Sequence, residues 1–176
     1  MKREMGNRMK LLTLDPSSTA IGYCISTGPG KLVEFGKITG PGKLNAIMRI
    51  EREMLPDLVK LVRNHMSDET DDQLIALIET PAPTQGASTK KRHPRGQATY
   101  GVAVGMVIGE LRRLEVDRQY VRADQWANKV KKVFRQAFVE QKYPQYDAKK
   151  LKDTGMDVSD AIALSDWFWA RHAIFK

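Results

Sequence analysis

The sequence predicts an α/β domain built on one mixed five-stranded sheet flanked by helices. Three observations carry that expectation. Three strand-like runs follow one another near the N-terminus with only turns between them. The run "QLIALIE" over 73–79 is apolar almost throughout, as a central strand covered on both faces should be. Beyond it, stripes of helical period alternate with another strand-like run.

Taken in order, "LLTLDPSSTAIGYCI" (11–25) reads as a strand over 10–15, an Asp-Pro-Ser-Ser turn and a strand over 19–27. After the turn "TGPG", the stretch "KLVEFGKIT" alternates as a third strand over 31–39. Leu44, Ile47, Met48, Met54, Leu55, Leu58, Leu61 and Val62 form a helical stripe over 43–66, which Pro56 is expected to kink or divide. The 73–79 strand, a helix over about 97–115 and a strand over 118–123 come next. Val130, Val133, Phe134, Ala137 and Phe138 then sit at helical spacing, predicting a helix with a core face that ends before Pro144. A last helix is expected over 157–173. The order βββαβαβαα implies an antiparallel meander followed by two parallel crossovers. A basic tail over 1–9 precedes a single domain over 10–176, with no repeat or linker.

At 176 residues, 41% hydrophobic and 28% charged, the chain has the makeup of a soluble globular domain large enough to close a core. The apolar run before Asp15 is too short for a signal peptide or a membrane span, and one cysteine excludes an internal disulfide. A cytoplasmic protein is the expectation. The formal net charge of +8 favours a polyanionic partner, nucleic acid above all. Its cations cluster: Lys90, Lys91, Arg92, His93 and Arg95 lie in "STKKRHPRGQ", and Lys149, Lys150 and Lys152 form another group. Both are candidate DNA-binding surfaces. Lys129, Lys131, Lys132 and Arg135 form a third group, read as a solvated helix face.

Four acids stand out against this basic background. Asp15 and Glu79 each end an apolar strand, so parallel pairing of those strands would bring both to the carboxyl edge of the sheet, where open sheets place their sites. Asp157 and Asp160 are three apart in "DVSDAIALSDWFWA" and share a helix face; Asp166 lies on the other side. A plainer reading makes Asp157 an N-cap and Asp160 a first-turn acid stabilised by the helix dipole. Four converging carboxylates would repel one another unless cations neutralised them, and hard oxygen ligands suit Mg²⁺ or Mn²⁺. Two such ions would activate a water and stabilise the leaving oxygen of a phosphodiester. Separately, Gly101, Gly105 and Gly109 recur at four-residue spacing in one predicted helix. Each costs about 1 kcal/mol relative to alanine, so the stripe implies close approach of another backbone, from the same chain or a second one.

The segments "LLTLDPSSTAIGYCI", "LIALIETP", "GQATYGVAVGMVIGEL" and "DVSDAIALSDWFWAR", in this order and spacing, resemble the RuvC family of Holliday-junction resolvases over about residues 10–172. The resemblance implies a ribonuclease H-like fold and a homodimer that cuts four-way DNA junctions with Mg²⁺ or Mn²⁺. It matches Asp15 to the first-strand aspartate, Glu79 to the fourth-strand glutamate, and Asp157 and Asp160 to the acidic pair of the last helix. It also implies dimerisation through the glycine-striped region. Two departures stand out: Ser17 replaces the usual turn glycine, and no aromatic follows Glu79 until Tyr100. The divergence from bacterial members suits a phage-encoded form. The alternatives are a flap- or fork-specific nuclease and a non-catalytic nucleic-acid-binding protein of the same fold. A phosphate-binding ATPase is set aside because the chain is too short for that duplicated fold and has no second phosphate loop.

Overall fold

Alternating apolar residues and a serine-closed turn start the sheet. The structure is a computed structural model that describes residues 9–66, 73–81, 94–127 and 130–172, with the backbone alone for 94–97. Strand β1 (Lys10–Pro16) turns back into β2 (Ala20–Ser26), which turns into β3 (Leu32–Thr39). Ser17 closes the first turn: its amide donates to the Ala20 carbonyl at 2.7 Å, and its hydroxyl oxygen accepts from the Ala20 amide at 3.0 Å. A glycine could not supply that second bond, so the departure at position 17 is compensated locally.

Strands β4 (Leu74–Thr80) and β5 (Asp117–Arg122) complete a sheet of order β3-β2-β1-β4-β5. β1–β2 and β2–β3 are antiparallel, whereas β1–β4 and β4–β5 are parallel. This is the expected meander with two crossovers. On one face, Leu12, Leu14, Ala76 and Ile78 meet the helices α2 (Leu55–His65) and α3 (Pro94–Arg113) in the largest cluster. On the other, Leu11, Leu77 and Cys24 meet α6 (Asp157–His172). Thr13, from that second face, donates its hydroxyl to the Ala161 carbonyl at 2.7 Å and ties β1 to α6.

The helix predicted over 43–66 is divided. Asn45 caps α1 (Ala46–Arg49), accepting from the Met48 amide at 3.0 Å; a π-helical turn (Ile50–Met54) follows, then α2 with Pro56 in its first turn. Proline has no amide hydrogen for the preceding turn, which accounts for a break just before it. The short α4 (Ala123–Trp126) was not anticipated.

One expectation about packing fails. Helix α5 (Lys132–Lys142) does not bury its apolar stripe: Val133, Phe134 and Phe138 are 60%, 64% and 52% exposed, and Val139 is its one buried residue. The reason is position, since α6 already covers this face of the sheet and α5 only flanks it. For Gly101, Gly105 and Gly109, a same-chain partner is not found among the described residues. A Cβ added to any of them meets nothing within 4 Å among the described residues. Also among the described residues, no helix is long and apolar enough to cross a membrane.

Gly22 is the glycine that close packing does require. A Cβ there would lie 2.0 Å from the Asp157 carbonyl oxygen, so the start of α6 rests directly on β2. Gly22→Ala is expected to lower stability by about 1–3 kcal/mol through overpacking, read as a fall in the thermal midpoint. An unchanged midpoint would mean that α6 does not seat against this strand.

Candidate active site

Parallel register gathers the first two acids. The β1–β4 ladder ends at Leu14 opposite Ile78, and Asp15 and Glu79 are the next residue on each strand. Both point to the face covered by α6, following Thr13 and Leu77 in the strand alternation. On the other side of β1, Asp15 pairs with Gly22, against which the first turn of α6 sits. Asp157 and Asp160 therefore arrive over the same corner. All four predicted acids come together; Asp166 does not, pairing instead with Lys142 at 2.9 Å and with the Tyr143 hydroxyl.

The capping reading of Asp157 is corrected. Asp153 accepts from the Val158 and Ser159 amides at 3.1 and 3.0 Å and from the Tyr146 hydroxyl at 2.7 Å. Because this upstream, buried carboxylate satisfies the helix's orphan amides, Asp157 and Asp160 are released from that task.

The site contains its own cations, which the sequence reading placed in solvent. Arg135 grips Asp160 with two parallel bonds, Nε to Oδ1 at 2.8 Å and Nη2 to Oδ2 at 2.9 Å. Lys132 adds Nζ to Asp160 Oδ2 at 2.8 Å and stands 3.8 Å from Asp15 Oδ2. Trp126 completes the set, its indole N–H donating to Glu79 Oε2 at 2.7 Å while the Arg135 guanidinium lies 5.0 Å from its ring centroid. The signal for the cations was present, since Lys132 and Arg135 are three apart and share a face. For Trp126 no spacing pointed to Glu79.

Desolvation and mutual repulsion dominate the acids. Burial raises the Asp15 carboxyl well above its ordinary value, and Glu79, Asp160 and Asp157 push it further while Lys132 opposes them. Glu79 is raised to about 7, first by burial and then by Asp160, against the pull of Trp126, Lys132 and Arg135. Asp157 is raised by burial, with Lys132 and Lys37 pulling it back. Burial would lower the Lys132 ammonium, but Asp15 and Asp160 outweigh it and raise it. Tyr100, the first aromatic after Glu79, is raised by burial and then by Glu79, Asp15 and Asp160.

The donor set has the chemistry of a hard-cation site, and Asp15 Oδ2 is buried without a hydrogen-bond partner. As the side chains stand, no three of the described His, Cys, Asp or Glu residues are close enough to hold one ion together. Lys132 and Arg135 engage Asp160.

The predicted DNA-binding residues divide. Lys90, Lys91, Arg92 and His93 lie outside the described residues, and Arg95 begins α3 without a described side chain. Lys149, Lys150 and Lys152 are exposed in the turns before α6, where the Lys152 carbonyl accepts from Lys37 Nζ at 2.6 Å.

These shifts give stability a definite pH dependence. A carboxyl that is easier to protonate in the folded state favours folding at low pH and loses that advantage as pH rises. For Glu79 the window runs from 4.5 to about 7, and Asp15 and Asp157 shift in the same direction. In EDTA the thermal midpoint should fall as pH climbs through that window, and Glu79→Gln should flatten the fall. A wild-type midpoint that rises steadily over the same range would contradict a crowded acid cluster.

No protein-family model matches the sequence, and no curated protein matches it. Solved structures do. The Thermus thermophilus RuvC structure in complex with a Holliday junction substrate superposes with a TM-score of 0.67 at 15% identity, covering 94% of this chain and 96% of that one. A second Thermus thermophilus RuvC structure gives 0.61 at 15% identity, covering 94% and 97%. At this identity the likeness is one of fold: along nearly its whole length, the chain has the ribonuclease H-like fold of RuvC.

Proposed function

We propose that the protein is a structure-selective DNA endonuclease that resolves four-way junctions by metal-dependent phosphodiester hydrolysis, with paired nicks made by a homodimer. The observation that carries this reading is the convergence of Asp15, Glu79, Asp157 and Asp160 at the carboxyl edge of the central strands. The RuvC fold supports the choice of substrate, since one matching structure is bound to a Holliday junction. Asp15, Glu79, Asp157 and Asp160 would hold two Mg²⁺ ions, or Mn²⁺ in their place, whose chemistry is to activate a water and stabilise the leaving oxygen.

The chain's own residues prepare that site. Trp126 orients Glu79 through a buried hydrogen bond, and Asp153 keeps the first turn of α6 in place. Lys132 and Arg135 neutralise Asp160, so a cation entering the cluster must exchange with at least one of these contacts. The strongly basic chain supplies the field that attracts DNA.

Cleavage of labelled four-way, flap and linear duplex DNA, with Mg²⁺ and with EDTA, tests this reading. The four-way junction should be nicked in Mg²⁺ alone; preferential flap cleavage would favour the fork-nuclease alternative. Asp15→Asn, Glu79→Gln and Asp160→Asn should each reduce cleavage by more than the ~10–100-fold typical of losing a partner that merely supports a metal ligand, while junction binding persists. Asp157→Asn should be the mildest, as the least buried of the four. Wild-type cleavage by Asp160→Asn would remove α6 from the site.

The dimer reading rests on the glycine stripe of α3, which no described part of the chain covers. Beside it, Leu55, Pro56, Val59 and Met106 line a shallow depression of about 670 Å³ next to Gly109. A symmetric pair of sites can nick the two equivalent strands of a junction, which one site cannot coordinate. Gly105→Leu is expected to leave the fold intact but convert a sedimenting dimer to a monomer, with loss of paired nicking. A wild-type protein that sediments as a monomer, alone and on DNA, would overturn the dimer.

A further inference from the structure

Helix α5 carries two chemistries on two sides. Its inward side holds Lys132 and Arg135 on the acid cluster and Val139 in the core. Its outward side presents Phe134 and Phe138, one helical turn apart, with Val133 beside them. Among the other described phenylalanines, Phe168 is buried and Phe35 half-buried, whereas these two rings are exposed. The charges on the helix and at its start are Lys131, Lys132, Arg135 and Lys142 against Glu140; Lys132 and Arg135 pair with Asp160, and Lys142 pairs with Asp166 while staying 39% exposed. Lys142 Nζ lies 5.6 Å from the Phe138 ring centroid.

That charge pattern selects the occupant. Pairing this face with its copy would set the cationic Lys131 end of one helix against a flank whose Lys142 is already paired with Asp166, so it gains no charge complementarity. The glycine stripe that is the candidate dimer surface belongs to α3, which packs on the opposite face of the sheet. A polyanion with flat apolar faces fits both halves of the pattern: phosphates meet the lysines and bases stack on the rings. At 1.5 Å rise per residue, Phe138 lies about 9 Å along the helix axis from Lys132, on the side of α5 that faces away from the acids.

We propose that Phe134 and Phe138 form a base-stacking platform that engages unpaired or splayed nucleotides next to the cleavage site. This rests on the reading of the chain as a branched-DNA nuclease and adds the element that tells a branch from continuous duplex. Stacked bases in a duplex offer no free face to the rings, whereas bases opened at a branch do.

The test compares wild-type protein with Phe134→Ala/Phe138→Ala and Phe134→Leu/Phe138→Leu. Anisotropy in EDTA measures their affinity for a four-way junction, an oligothymidine single strand and a duplex of equal length. Both double variants should bind the junction and the single strand at least about tenfold more weakly, as expected for loss of aromatic stacking. Duplex affinity should stay within about twofold, with unchanged circular dichroism and sedimentation. The leucine variant separates stacking from simple apolar contact, because it keeps apolar area but has no π-face. Wild-type junction affinity in the alanine variant would overturn the platform while leaving the nuclease reading intact. So would junction affinity restored by leucine, or a variant whose sedimentation changes while DNA binding does not. A wild-type protein that binds neither junction nor single strand would overturn both.

Discussion

The repulsion among four carboxylates at one corner of the sheet is the constraint around which the rest of this molecule is arranged. Two like charges about 4 Å apart in a partly shielded site repel by roughly 4 kcal/mol, against a total stability of about 5–15 kcal/mol for a whole domain. Such a cluster persists only if it is partly protonated, paired with cations or both. Here burial raises Asp15, Glu79 and Asp157, while Arg135 and Lys132 pair with Asp160. The cations that offset the repulsion come from α5, an element that contributes one buried residue to the core.

Holding the acids in place draws on every layer of the fold. The parallel β1–β4 pairing sets Asp15 and Glu79 side by side, and Gly22 lets α6 approach β2 closely enough to deliver Asp157 and Asp160. Asp153 satisfies the amides at the start of α6, and the Thr13 hydroxyl ties its next turn to β1. Trp126 reaches across from the end of β5 to Glu79. These are short-range devices contributed by distant parts of the chain, so the site exists only when the sheet and α6 are assembled together.

The two faces of the sheet divide the remaining work. The face covered by α2 and α3 carries the larger apolar cluster and the glycine stripe, which no described residue covers. The face covered by α6 carries the acids, with α5 at its margin bearing cations inward and phenyl rings outward. The glycine stripe and the phenyl rings thus lie on opposite faces and share no residues.

The order and type of nearly every strand were legible in the sequence because apolar runs, turn residues and period-two alternation are local properties. The four acids were legible too, since strand-end position and three-residue spacing predict where carboxylates emerge. The direction in which α5 faces was not. Its apolar stripe reads as a core face, and only the prior coverage of the sheet by α6 turns it outward. For the same reason Lys132 and Arg135 read as solvated surface, although they are the counter-charges of the site. Asp153 and Trp126 were invisible because their partners lie across a loop or in another strand, and no periodicity records such contacts. The sequence by itself determined which elements form and which acids end them. The tertiary structure decided which charges meet, because contact between distant segments depends on how the helices stack against the sheet.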